Sequence, residues 1–350
     1  MATAGCRKTA YITGISCLGC TILIAIFVAG SIWLVRRAAR NPSPTQAETT
    51  TITIPSGPSG AEGAAGEPAT PPAASPGEGA GSLPPEPPPT AGRDLPDAIL
   101  ANARPTRLTL YLDEGDFDVL PGPPGSELKV DGYFDRRDYE LTQDTVEQGD
   151  MGREVTIRFR PKRSWFFRLL SGRLDTRNKV TVTIPEGIPT ALKLNVGKGQ
   201  SRVELGGLAL TDLEGNLSMG DHRVSFNRPL PRRLPRVVLR SSMGETRVSG
   251  LGNAAPESFS MTGSMGQLTV DFRGQWPAGA QSKGRIHLTM GQVDVRVPEN
   301  MRISPTSSTR VSLGEARTRG LREGETEDPN APTLELDLSA SMGEASIRRD

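Results

Sequence analysis

The chain has two histidines, His222 and His287. His222 follows Asp221 and lies close to Ser218, so the residue types of a hydrolytic triad stand together. Spacing argues against that chemistry. Adjacent residues of a strand point to opposite faces, so Asp221 is badly placed to orient His222, and a triad is defined by geometry rather than composition. A second candidate is the acidic set Asp221, Glu245, Glu315 and Glu344, which recurs at one phase of a repeated phrase. Two facing carboxylates are what glycoside hydrolysis needs. Here Gln267 and Gln292 interrupt the series, and turn positions favour polar residues in any case. Gly197-Lys198-Gly199-Gln200-Ser201 is too short for a phosphate loop and opens no helix. Two histidines several repeats apart do not make the three or four convergent ligands of a metal site. No catalytic, cofactor-binding or metal-binding residue is therefore assigned, and the reading is non-enzymatic.

The repeated phrase is Ser-Met-Gly or a close variant. Its methionine position is held by Met219, Met243, Met265, Met290, Leu313 and Met342, and its glycine position by Gly220, Gly244, Gly266, Gly291, Gly314 and Gly343. A weaker copy, Asn195-Val196-Gly197, precedes them and adds Gly197. The glycines recur roughly every 22 to 29 residues, a period typical of a solenoid. Glycine suits a corner because positive φ costs a residue with a Cβ about 1 to 2 kcal/mol. The preceding Met or Leu is expected to point inward and stack on its counterpart one coil away, since thioether fills irregular core gaps. A methionine copper site would need sulfurs converging on one point, whereas a ladder spreads them along a line.

Short alternating stretches flank each corner, such as Val237-Val238-Leu239 before and Leu268-Thr269-Val270 after. Glu154–Phe159 and Lys179–Ile184 alternate in the same way, and Pro and Gly recur too often for long helices. The expected fold class is all-β, a β-solenoid of parallel β-helix type. Its coils would lie about 4.8 Å apart. Degenerate coils are expected over 104–190 and regular ones over 191–350.

The N-terminal part is unlike the rest. After a tail of residues 1–9, residues 10–35 carry no charge. That run exceeds the roughly 20 residues needed to cross a bilayer, so a transmembrane helix is expected, with Trp33 as an interfacial anchor. Cys6, Cys17 and Cys20 all lie in or before it, so disulfide and thiolate chemistry are excluded from the rest of the chain. Residues 41–96 are dominated by Pro, Ala, Gly, Ser and Thr and read as a disordered linker, spanning about 40 Å as a coil. The whole reads as a single-pass membrane protein with its C-terminal domain outside the cytoplasm.

Two surface features could meet a partner. Trp165, Phe166 and Phe167 concentrate aromatic side chains and suit either an end cap or a contact loop. Arg232 and Arg233 lie in a basic, proline-interrupted insertion that could touch anionic lipid or an acidic polymer. Nucleic acid is excluded as a partner, because net charge is only +1 and no aromatic residues interleave with these arginines. Self-association through unpaired strands is a further expectation.

A family resemblance covers roughly residues 104–350 and is best over 179–220. Val182-Thr183-Ile184-Pro185-Glu186-Gly187 leads into Leu192-Lys193-Leu194-Asn195-Val196-Gly197-Lys198-Gly199, then Val203-Glu204-Leu205-Gly206-Gly207-Leu208 and Met219-Gly220. This resembles the bacterial toast-rack domain found beside LiaF-like regulators, and is similar to the putative-adhesin repeat domain. The resemblance implies a β-repeat fold behind a membrane anchor, with envelope stress sensing, adhesion or scaffolding as function and a protein or envelope polymer as partner. A cytoplasmic-facing polymerising scaffold and a polysaccharide-active β-helix are the alternatives. The resemblance supplies no catalytic residues.

Overall fold

The computed structural model describes residues 47–54, 105–149, 152–162, 178–319 and 328–349. The expected transmembrane run 10–35 and the aromatic trio Trp165, Phe166 and Phe167 lie outside them. No helix among the described residues is long and apolar enough to cross a membrane.

The described chain is all-β apart from one turn of helix. Its strands are β1 (Ala47–Ile54), β2 (Thr106–Gly122), β3 (Leu128–Asp135), β4 (Tyr139–Glu147), β5 (Arg153–Pro161), β6 (Lys179–Pro185), β7 (Thr190–Glu204), β8 (Leu210–Ser225) and β9 (Arg236–Ser249). The helical turn α1 (Leu251–Ala254) follows, then β10 (Ser258–Asp271), β11 (Gln281–Val297), β12 (Arg302–Ile303), β13 (Ser308–Arg319) and β14 (Thr333–Arg349). Strands β2, β7, β8, β9, β10, β11 and β14 lie side by side, parallel and in register. On the far side of β2, its first half pairs with β5 and its second half with β6, both parallel.

Each long strand turns at a glycine in one shared register column: Gly115, Gly199, Gly220, Gly244, Gly266, Gly291, Gly343 and Gly314. Gly244 shows why no other residue serves. Its φ is 115°, and a Cβ there would drive into the carbonyl oxygen of Gly220 on the neighbouring strand. In the weak first copy the sequence pointed to Gly197, but Gly199 occupies the column, with φ 129°. Gly197 aligns one step after the Leu217 column, opposite Ser218.

The core follows from period-two alternation on each arm. Leu192, Leu194 and Val196 stack over Leu213, Gly215 and Leu217, then over Val237 and Leu239, and all these leucines and valines are buried. Leu239 fills the space that Gly215 leaves open. At the β2 end an aromatic cluster closes the core, with Tyr139 stacked on Phe159 at 5.3 Å and Phe134 edge-on to it at 5.1 Å.

Two expectations fail, and the strand order adds a feature that the repeat did not foretell. First, the Met ladder faces outward. Met219, Met243, Met265, Met290 and Met342 are 39–45% exposed and Leu313 is 66% exposed. Alternation is broken at the corner: Leu217 is buried, Ser218 and Met219 are both exposed, and burial resumes at His222. The bend inserts an odd step, which moves methionine to the outside. Second, residues 47–54 of the expected linker form β1, antiparallel to β3, with Ile52 packed on the core. The Thr-Ile alternation there is a strand signal that overall composition hid. In addition, stacking does not follow chain order, because β14 inserts between β11 and β13. Leu338, Ala340, Ala345 and Ile347 of β14 are buried, whereas Ala316 and Thr318 in the matching columns of β13 are exposed. The more apolar strand takes the position covered on both sides.

Candidate interaction surface

The regular stack presents two outward faces and the corner between them. On the first face, Lys193, Glu214 and Arg240 form a chain of ion pairs across three strands, at 3.5 and 3.0 Å. Asn216 donates to Asn195 at 2.9 Å in the next column. Further along, Lys283 pairs with Glu335 at 2.8 Å and Arg285 with Asp337 at 3.2 Å. These four residues line a shallow cleft of about 490 Å³ together with Ser260, Ser308 and Arg310. The Ser308 hydroxyl holds the Asp337 carboxyl below the usual carboxylate range; burial opposes it, and Arg285 and Arg310 add to the lowering.

On the second face the acidic set falls in one column with Gln200, Gln267 and Gln292. Glu245 pairs with Arg247 at 2.7 Å, and Arg317 bridges Glu315 at 2.7 Å and Glu344 at 3.1 Å. The Arg317 hydrogen bond and charge lower the Glu315 pKa. A general acid for glycoside hydrolysis needs the opposite shift, and this column lies on an open strand face. A smaller hollow of about 220 Å³ lies near its start, lined by Asp116, Asp118, Asp221, Lys179, Arg202 and Arg223. Exposed pairs of this kind contribute about 0 to 1 kcal/mol each to stability, so they do little to hold the fold.

The corner carries two exposed columns side by side. One is hydroxyl-bearing: Ser218, Ser242, Ser264, Thr289 and Ser312, with Ser341 half-buried. The other is Met219, Met243, Met265, Met290, Met342 and Leu313, which continues backward as Lys198 and Glu114.

The suspected triad does not assemble. His222 is 1% exposed, and its Nδ1 lies 2.9 Å from Ser201 Oγ of the preceding strand, not against Ser218. Ser201 is itself buried. Burial lowers the His222 pKa, with Asp221 pulling weakly the other way. Sequence reading missed this pair because the two residues belong to different repeats. His287 Nδ1 makes a parallel contact with Ser339 Oγ at 2.9 Å on the first face. Among the described residues no three or more His, Cys, Asp or Glu are grouped to hold a metal.

The basic insertion is built into the fold. Leu230 and Leu234 on either side of Arg232 and Arg233 are buried. Arg233 donates from Nε to Ala255 O at 3.1 Å and from Nη2 to Gln281 O at 2.5 Å. Arg233 thus ties the loop to the next two repeats, while Arg232 stands exposed beside it.

A filled core and regular outward columns define an all-β repeat protein. Residues 93–231 match the family described as the N-terminal domain of toast_rack, DUF2154. Over that stretch the chain is similar to the toast_rack family. Two solved structures are similar to it at low identity. One is a putative cell adhesion protein from Clostridium sporogenes ATCC 15579, 14% identical, covering 71% of this chain and 95% of that one with a TM-score of 0.36. The other is a putative adhesin from Bacteroides fragilis NCTC 9343, 10% identical, covering 71% and 92% with a TM-score of 0.29. No curated protein matches.

Proposed function

We propose that the chain is a membrane-anchored binding or scaffolding protein of the cell envelope, in which a β-solenoid presents its outer columns to a protein or polymer partner. One observation carries this reading: the interior is packed with apolar side chains, while Met219, Met243, Met265, Met290 and Met342 and the charged columns repeat on the outside. An exposed apolar row rimmed by polar residues is a feature of interaction sites. The match of residues 93–231 to the toast_rack N-terminal domain supports a β-repeat binding domain, and the uncharged run 10–35 supports an anchor. Stress sensing would use the same surfaces.

The test is protease accessibility of residues 55–104 in intact cells, with lysed cells as control. Release of the C-terminal part from intact cells, or after opening the outer envelope alone, supports the envelope reading. Cleavage only after the cytoplasmic membrane is broken overturns it.

A second reading is favoured by β13, which pairs with one neighbour, β14, among the described residues. Unpaired strand edges are templates for further strands. Under this reading the protein is a cytoplasmic-facing scaffold that polymerises, and the same protease experiment separates the two.

A further inference from the structure

The corner column contains five of the nine methionines in the chain. Two of the others, Met261 and Met301, are fully buried and serve the core. The five outward ones contribute nothing to it. Leu313 occupies the same column on a strand with the same bend, so the position accepts a branched hydrocarbon. An apolar ridge alone would therefore be served by leucine. What Met219, Met243, Met265, Met290 and Met342 share beyond leucine is a thioether sulfur.

We propose that this column is a binding site for soft monovalent cations, Cu(I) or Ag(I), each held between the thioethers of neighbouring strands. Soft thioether ligands select Cu(I), and hard cations prefer oxygen donors. The register sets Met219 beside Met243, Met243 beside Met265, Met265 beside Met290 and Met290 beside Met342. Neighbouring strands lie about 4.8 Å apart. Metal–sulfur bonds are about 2.3 Å, the value for zinc thiolates, so an ion midway between two sulfurs needs them about 4.6 Å apart. Three rotatable bonds let each side chain make up the difference. Convergence of many sulfurs on one point is then unnecessary, because each strand-to-strand step is a two-sulfur site. The glycine and hydroxyl columns on either side carry no charge to repel a cation. The nearby acids are largely neutralised, Glu245 by Arg247 and Glu344 by Arg317, and Lys198 continues the column beside Met219, so the sulfurs themselves must supply the affinity. The inference stands on the sulfur column alone and does not depend on the adhesive reading.

The test uses the full chain with Cys6, Cys17 and Cys20 replaced by serine, so that thiols do not compete. Silver nitrate serves as a redox-inert probe, followed by the methyl signals of labelled methionine. The expected result is that Ag(I) shifts the five corner methyls and leaves Met261 and Met301 unmoved. A variant keeping Met243 alone, with Met219→Leu, Met265→Leu, Met290→Leu and Met342→Leu, should bind about 100-fold more weakly, the gain that a second linked ligand gives. An unchanged melting temperature confirms that the variant is folded. Anaerobic Cu(I) titration against a chelator should rank the two proteins in the same order. The proposal is overturned if the corner methyls do not move, or if the single-methionine variant binds as tightly as the five-methionine protein.

Discussion

Ser201 Oγ and His222 Nδ1 lie 2.9 Å apart across two neighbouring strands, both buried. The far nitrogen of the ring, Nε2, finds no hydrogen-bond partner among the described residues. Thr246 lies beside His222 on the other strand, and Asp221 precedes it on the outer face. His222 is therefore held neutral, and burial places its pKa below the ordinary value near 6.5.

The sign of the pH effect follows. Below about pH 6.5 the unfolded chain takes up the proton before the folded one does, so stability falls as pH drops. The loss grows until folded His222 also protonates. His222→Gln, which keeps a polar partner for Ser201, should flatten this part of the profile. Urea denaturation of both proteins from pH 7.5 to 5 measures it; identical slopes would mean that His222 does not contribute.

Gly244→Val should destabilise strongly. Positive φ alone costs about 1 to 2 kcal/mol, and the collision with the Gly220 carbonyl adds to it. A drop of several degrees in melting temperature is expected, and an unchanged one would remove the corner assignment.

The outward direction of the Met column is tested by a matched pair. Met265→Ser should shift stability by no more than about 0.5 kcal/mol, as exposed substitutions do. Met261→Ala, at a fully buried site on the same strand, should cost about 2 to 5 kcal/mol. Equal losses in chemical denaturation would return Met265 to the core.

Arg232 and Arg233 should separate in the same way. Arg233→Ala removes the links to the Ala255 and Gln281 carbonyls and should lower stability by about 1 kcal/mol or more. Arg232→Ser should change it less. For anionic vesicles the order reverses: if the loop touches lipid, binding weakens with Arg232→Ser, and unchanged binding leaves the loop a structural tie.

Much of this architecture could be read locally. Alternation in Leu192–Val196 or Val293–Val295 fixes which side chains face the core, because side-chain direction in a strand has period two. The glycine period located nearly every corner, because only glycine tolerates that backbone and that close approach. The family resemblance rested on the same two signals. What could not be read was any relation that crosses an irregular step or joins distant repeats. The odd step at each bend reversed the phase, so Met219 and its counterparts face solvent. Strand order near the end was decided by burial, which placed the apolar β14 between β11 and the polar β13. Ser201 and His222 met through strand register, and Arg233 found its carbonyl partners in two later repeats. Sequence alone thus determined the alternation, most of the corners and the family resemblance. Tertiary structure decided which columns reached the surface, because register and burial are settled between strands and not along them.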